Sequence, residues 1–105
     1  MTLMIGSGTK VFLDTNIILR FDITDFAEHT DMLTVVGALV NAGSELWISH
    51  QVLREYSNVV TRPQAFMQYM SAKDCAVRVR ALKQLFEVAT DAALQHQLPV
   101  YPQHI

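Results

Sequence analysis

The sequence is poor in cysteine and contains no long apolar segment, and these two shortages exclude several classes of protein. Its single cysteine, Cys75, cannot form an internal disulfide, and together with four scattered histidines it offers no zinc site. The longest apolar stretch, residues 35–40, is far shorter than the roughly 20 residues that a membrane-spanning helix needs. No charged leader followed by an apolar run opens the chain. We therefore expect a cytoplasmic protein in a reducing compartment, with no membrane partner.

The chain also lacks an excess of charge of either sign. It has 10 acidic and 8 basic side chains, which give a net charge of −2. This balance argues against a generally basic surface for nucleic acid, although a local acidic site could still meet a polyanion through metal ions. Half of the 105 residues are apolar, which is enough for one small packed domain. We expect a flexible leader over residues 1–9 and a single domain over residues 10–105.

Short apolar runs alternate with amphipathic segments along the chain. The runs at residues 11–13, 46–48 and 87–89 predict strands, the last of them a short edge strand. One helix is predicted directly after Asp14, with Thr15 as its cap, and a second over residues 26–42, with Gly43 as its stop. Two more are predicted over residues 50–61, after Ser49, and over residues 71–86, with Ser71 as the cap. A last helix is predicted from residue 90 or 91 toward residue 98. This alternation predicts an α/β fold with a parallel sheet and right-handed crossovers. The side chains expected in the core include Phe12, Met32, Val35, Val36, Leu39, Trp47, Cys75, Val79, Leu82 and Phe86.

Two acidic residues follow the predicted strands at the edge where parallel sheets bind ligands. Asp14 directly ends the first strand, and Glu55 lies in the second turn of the helix after the second strand, about 8 Å along its axis. Glu55 falls at the margin of the apolar arc of its helix, so we expect its carboxylate to be partly desolvated. A hard cation such as Mg²⁺ or Mn²⁺ would offset the cost of two neighbouring carboxylates. Phosphodiester hydrolysis is a reaction that such ions support.

Each of these signals has a purely structural alternative. The Asp14-Thr15-Asn16 sequence is also an ordinary turn and helix cap, because all three side chains bond local backbone groups. Glu55 could be a surface acid next to a neighbouring arginine of its helix, Arg54 or Arg62. A further basic group on the fourth helix is either a solvated face or a contact for an RNA backbone; it consists of Arg78, Arg80 and Lys83.

Two segments of the sequence resemble the PIN-domain family. Residues 10–19, KVFLDTNIIL, look like its opening strand with an Asp-Thr-Asn motif, and residues 49–56, SHQVLREY, look like its second motif. The resemblance extends from about residue 10 to residue 91, and the spacing of roughly forty residues between the two motifs makes the pair moderately specific.

The resemblance implies an α/β/α sandwich around a parallel sheet and a divalent-metal-dependent endoribonuclease, in particular the VapC-type toxin of a bacterial toxin–antitoxin pair. On that analogy Asp14 is a direct metal ligand, and Glu55 binds the metal or a water held by it. Thr15 or Asn16 orients the site through hydrogen bonds. The implied cofactor is Mg²⁺ or Mn²⁺, and the implied partners are an RNA substrate, a cognate antitoxin and a second copy of the chain in a homodimer.

The sequence departs from the family at its C-terminal end. Family members carry one or two further aspartates in a His-Asp-Ala-like segment, whereas Asp91 comes too early for that segment and residues 103–105 contain no acid. We therefore expect a C-terminally truncated domain that lacks its last strands, leaves residues 11–13 on an unpaired edge, and binds metal weakly. The alternative functions are a weak or inactive PIN-like fragment that serves as a partner-binding module, and a receiver-like domain with Asp14 as phosphate acceptor.

Overall fold

The computed structural model describes residues 8–63 and 68–90, and in these residues strands alternate with helices as predicted. The order of elements is β1 (Lys10–Phe12), α1 (Thr15–Asp22), α2 (His29–Asn41), β2 (Glu45–Ser49), α3 (His50–Val60), α4 (Ala72–Leu85) and β3 (Glu87–Ala89). The helix predicted from residue 90 or 91, and residues 1–7 of the predicted leader, lie outside the described residues. None of the described helices combines the length and the apolar character needed to cross a membrane.

The three described strands form one parallel sheet in the order β1-β2-β3. Val11 pairs with Leu46, and Ile48 pairs with Val88, so the central strand β2 bonds a neighbour on each side. Each crossover contains two of the described helices, which is the right size for a connection between parallel strands. The carboxyl ends of the strands therefore meet at one edge, where the chain enters α1 and α3.

The core lies between the described helices and one face of the sheet. Successive side chains of a strand point to opposite faces, and it is Leu46 and Ile48 of β2 that join the buried cluster. The helices contribute the other side chains that are almost completely buried: Ile18, Tyr56, Val60 and Leu82. In α4 the predicted stripe is confirmed, with Cys75, Leu82 and Phe86 buried and Val79 packed against the cluster.

Three residues predicted in the core lie elsewhere. Val35 is 49% exposed, because it points roughly 65° away from the centre of the buried arc of α2 at about 100° per residue. Phe12 and Trp47 are only half-buried and lie outside the core cluster, with their ring centroids 6.0 Å apart. They occupy the alternate positions of β1 and β2, so they face away from the helices, and the ammonium group of Lys10 lies 5.1 Å from the Trp47 ring.

Candidate active site

Asp14 sits at the junction between the first strand and the first helix. The backbone N–H of Leu13 donates to the carbonyl of Trp47, which continues the strand ladder one residue beyond β1. Asp14 then takes an extended backbone, and its Oδ1 accepts from the N–H of Ile17 at 2.9 Å. The prediction that Thr15 caps this helix is therefore wrong: Thr15 is the first helical residue, and Asp14 has the extended conformation that an N-cap requires.

Asp14 does cap the helix, as its structural interpretation predicts, but the cap uses only part of the carboxylate. Capping takes one oxygen, Oδ1, and the residue stays exposed. A carboxylate has about four lone-pair sites, so one aspartate can cap a helix and bind a cation at the same time. The structural and functional interpretations of Asp14 are therefore compatible.

Glu55 is held close to the first motif by a hydrogen bond. Ser49 caps α3 as predicted, with its Oγ accepting from the N–H of Val52 at 3.1 Å, and Glu55 follows in the second turn. The hydroxyl of Thr15 donates to Oε1 of Glu55 at 2.5 Å, across 40 positions of sequence. The expectation that Glu55 is partly desolvated is wrong, because the side chain lies outside the buried arc of α3 and is exposed. Hydrogen bonding to Thr15, not burial, restricts its carboxylate.

All four predicted site residues line one surface depression of about 490 Å³. The depression lies between the start of α1 and the outer side of α3, and its lining consists of Asp14, Thr15, Asn16, Leu19, Glu55, Asn58, Val59 and Arg62. Asn58 was not predicted as part of the site, and Arg62 was considered only as an ion-pair partner of Glu55. Asn58 could have been found from helical spacing, because it follows Glu55 by three residues on α3, whereas Arg62 lies beyond the end of that helix.

The donor set of this depression suits a hydrated, hard cation. Among residues 8–63 and 68–90, no group of three or more His, Cys, Asp or Glu side chains is placed to hold a metal ion. The depression offers two carboxylates, from Asp14 and Glu55, and the amide oxygens of Asn16 and Asn58. Mg²⁺ is often held by one or two carboxylates while it keeps several waters, so these residues fit Mg²⁺ or Mn²⁺ better than zinc.

A partly buried ion pair, together with Tyr56, ties α1, α3 and α4 to one another. The side chain of Asp22, the last residue of α1, is only 1% exposed and forms a salt bridge with Arg78 of α4. Nε of Arg78 donates to Oδ2 at 3.2 Å, Nη2 donates to Oδ1, and the hydroxyl of Tyr56 also donates to Oδ2. Burial of Tyr56 and its hydrogen bond to Asp22 raise the pKa of the phenol above its ordinary value.

This network was not predicted. Arg78 was assigned to a solvated or RNA-contacting face, whereas it pairs with an acid 56 residues earlier. Asp22, Tyr56 and Arg78 lie on three different helices, so periodicity within any one helix gives no sign of their contact. Tyr56 is next to Glu55 on α3, and Asp22 is the last residue of α1, which begins at Thr15. The network therefore fixes α1 and α3, the two helices whose side chains meet in the site.

Comparison with known proteins identifies one family. A family model described as a PIN-like domain matches residues 10–99. The matched region contains both acidic motifs and every described strand and helix. No curated protein matches the chain.

Proposed function

The chain belongs to the PIN-like domain family, whose members are generally nucleases, and from that premise we propose that it is a divalent-metal-dependent endoribonuclease. Its parallel sheet and helices are consistent with the α/β/α fold of that family. The observation that carries the proposal is the hydrogen bond from Thr15 to Glu55, which joins the two acidic motifs in one exposed depression. RNA is the proposed substrate, and the cytoplasm is the proposed compartment.

In this proposal Asp14 and Glu55 hold Mg²⁺ or Mn²⁺. Such an ion, when bound, lowers the pKa of a water that attacks a phosphodiester and stabilises the leaving oxygen. The chain's own residues prepare the site: the cap on Ile17 fixes the rotamer of Asp14, and the Thr15 hydroxyl fixes that of Glu55. The amide of Asn16 lies in the same lining and can orient the substrate or a water.

We also propose the biological setting that the family resemblance implies. The enzyme acts as the toxin of a toxin–antitoxin pair, a cognate antitoxin holds it inactive, and two copies form a homodimer. Sedimentation of the purified chain, alone and with the product of a neighbouring gene, tests both partners. A monomer that binds no such product would contradict this setting and leave the nuclease proposal intact.

The nuclease proposal is tested by cleavage of RNA with the full chain. We expect Mg²⁺ or Mn²⁺ to support cleavage, EDTA to abolish it, and Asp14→Asn or Glu55→Gln to reduce it by at least about 100-fold, the lower range for loss of a catalytic group. Asp31→Asn is the matched control, because Asp31 is an exposed acid on α2 that does not line the depression. Cleavage that survives both EDTA and Asp14→Asn would overturn the proposal.

A second candidate is a PIN-like binding module without turnover. It is favoured by the exposure of Asp14 and Glu55, because two hydrated carboxylates need no cation to be stable. Calorimetric titration with Mg²⁺ and Mn²⁺ separates the candidates. Tight binding of a protein partner without any heat from either metal favours the module, whereas metal binding lost in Asp14→Asn favours the nuclease.

A further inference from the structure

A second depression lies on the other side of α3, between α3 and α4. Its volume is about 430 Å³, and its lining consists of His50, Leu53, Arg54, Ser57, Asn58, Val79 and Lys83. Asn58 lines this depression and the acidic one as well. We call the second depression the α3–α4 groove.

Helical geometry shows how the two depressions are related. On α3 the groove is lined by residues 50, 53, 54 and 57, and the acidic depression by Glu55 and Val59. At about 100° per residue these two sets point roughly 170° apart, and Asn58 falls between them. The groove and the acidic depression therefore flank a single ridge, with Asn58 on its crest.

The separation of the two depressions suits a strand of nucleic acid. A helix with its side chains is about 10–12 Å wide, so a path over its outer half is roughly 16–19 Å long, which corresponds to no more than about five nucleotides at 3.4 Å or more each. A strand cleaved at the acidic depression would cross this ridge within that length. A volume near 430 Å³ is at the lower end of the range for small-molecule sites, so the groove fits one nucleotide unit better than a duplex.

The two depressions differ in charge, and together they could bind a phosphate backbone: one could hold a cation, and the other could attract phosphates directly. The acidic depression contains the carboxylates of Asp14 and Glu55 and one guanidinium group, that of Arg62, whereas the described lining of the groove contains Arg54 and Lys83 and no carboxylate. A neighbouring phosphate is repelled by the acids and attracted to the cationic side of the ridge. Leu53 and Val79 give the groove an apolar floor on which a sugar or base can lie.

Resting on the proposed nuclease function, we propose that the α3–α4 groove holds the single-stranded RNA on one side of the cut. Lys83 binds a backbone phosphate as a point charge, and the amide of Asn58 donates to the strand as it crosses the ridge. This assigns Lys83 to substrate binding, separately from the acids that perform the cleavage.

The proposal is tested by RNA binding in EDTA, where the metal-dependent cleavage is stopped. The probe is a fluorescent single-stranded RNA oligonucleotide, and Lys83→Gln is compared with Lys73→Gln, which removes an exposed lysine of the same helix outside the groove. We expect Lys83→Gln to weaken binding several-fold at low salt and to reduce the slope of log affinity against log salt by about 0.7, the value for one single-strand phosphate contact. Lys73→Gln should leave affinity and slope unchanged.

Equal affinities for Lys83→Gln, Lys73→Gln and the unaltered chain would overturn the groove assignment, even if the chain cleaves RNA. If Lys83→Gln weakened binding of a duplex RNA probe as much as binding of the single-stranded probe, the groove would not be specific for single-stranded RNA. That result would overturn this part of the proposal. Failure of the proposed function is recognised separately, by the absence of metal-dependent cleavage in the unaltered chain.

Discussion

Asp14 combines a structural contact with a proposed catalytic one, and two substitutions separate them. Asparagine caps helices as well as aspartate does, so Asp14→Asn should preserve the bond to Ile17 and change the free energy of unfolding by less than about 0.5 kcal/mol. Asp14→Ala removes the cap and should cost about 1 kcal/mol. Urea unfolding of both variants without metal checks this difference. Equal stabilities would show that the cap contributes little to folding.

The hydroxyl of Thr15 is the group that joins the two acidic motifs, through its bond to Glu55. Thr15→Val keeps the shape and removes the donor to Glu55, so it should lower kcat/KM for RNA cleavage about tenfold and change stability by less than about 1 kcal/mol. Thr15→Ser restores the donor and should recover most of the rate. The measurement is the pair of cleavage rates at fixed metal concentration. Equal rates for the valine and serine variants would remove Thr15 from the positioning of Glu55.

At the scale of the elements, the ion pair between the buried Asp22 and the partly exposed Arg78 holds α1 and α4 together. Arg78→Met leaves an almost fully buried carboxylate without its cation and should lower the free energy of unfolding by about 3 kcal/mol. We choose the lower end of the cost of breaking a buried pair because Arg78 itself is 42% exposed on its side chain. Arg80→Met, on the exposed side of the same helix, should cost less than about 0.5 kcal/mol. Similar urea midpoints for the two variants would contradict this role.

We expect Tyr56 to make the contact between α1 and α3 sensitive to alkaline pH. Burial and the hydrogen bond to Asp22 raise the pKa of the phenol above its ordinary value of 10.0. Above that pH the unfolded chain loses the phenolic proton while the folded chain keeps it, so stability is complete below pH 10 and falls as the pH rises further. Tyr56→Phe should cost about 1 kcal/mol at neutral pH and give a flatter dependence above about pH 10. Parallel stability curves for the two proteins would contradict this prediction.

The elements that could be predicted from sequence depend on local contacts. Ser49 and Ser71 cap their helices through N–H groups only three residues away, and both predictions are confirmed. The burial of Trp47 was mispredicted because a run of apolar residues does not tell which of two alternating positions faces the helices. The pair of Asp22 and Arg78 joins residues 56 positions apart and leaves no periodic signal.

At the scale of the whole molecule, the meeting of the two acidic motifs could be predicted because it depends on topology. Parallel neighbouring strands end at one edge, so Asp14 after β1 and Glu55 after β2 had to approach each other. The depth and lining of the depression could not be predicted, since they depend on the angle between α1 and α3. The roles of Asp14, Glu55, Thr15 and Asn16 stay predictions that rest on this placement.

A cation bound between two motifs from different parts of the chain should stabilise the whole fold. Since the unfolded chain separates Asp14 from Glu55, Mg²⁺ or Mn²⁺ at a hundred times its Kd should add about 2.7 kcal/mol to the free energy of unfolding. In a chain of 105 residues that corresponds to a rise in Tm of roughly 10 °C. Thermal unfolding at constant ionic strength measures the rise, which should disappear in Asp14→Asn and persist in Asp31→Asn. The same rise in all three proteins would mean that the cation acts elsewhere on the molecule.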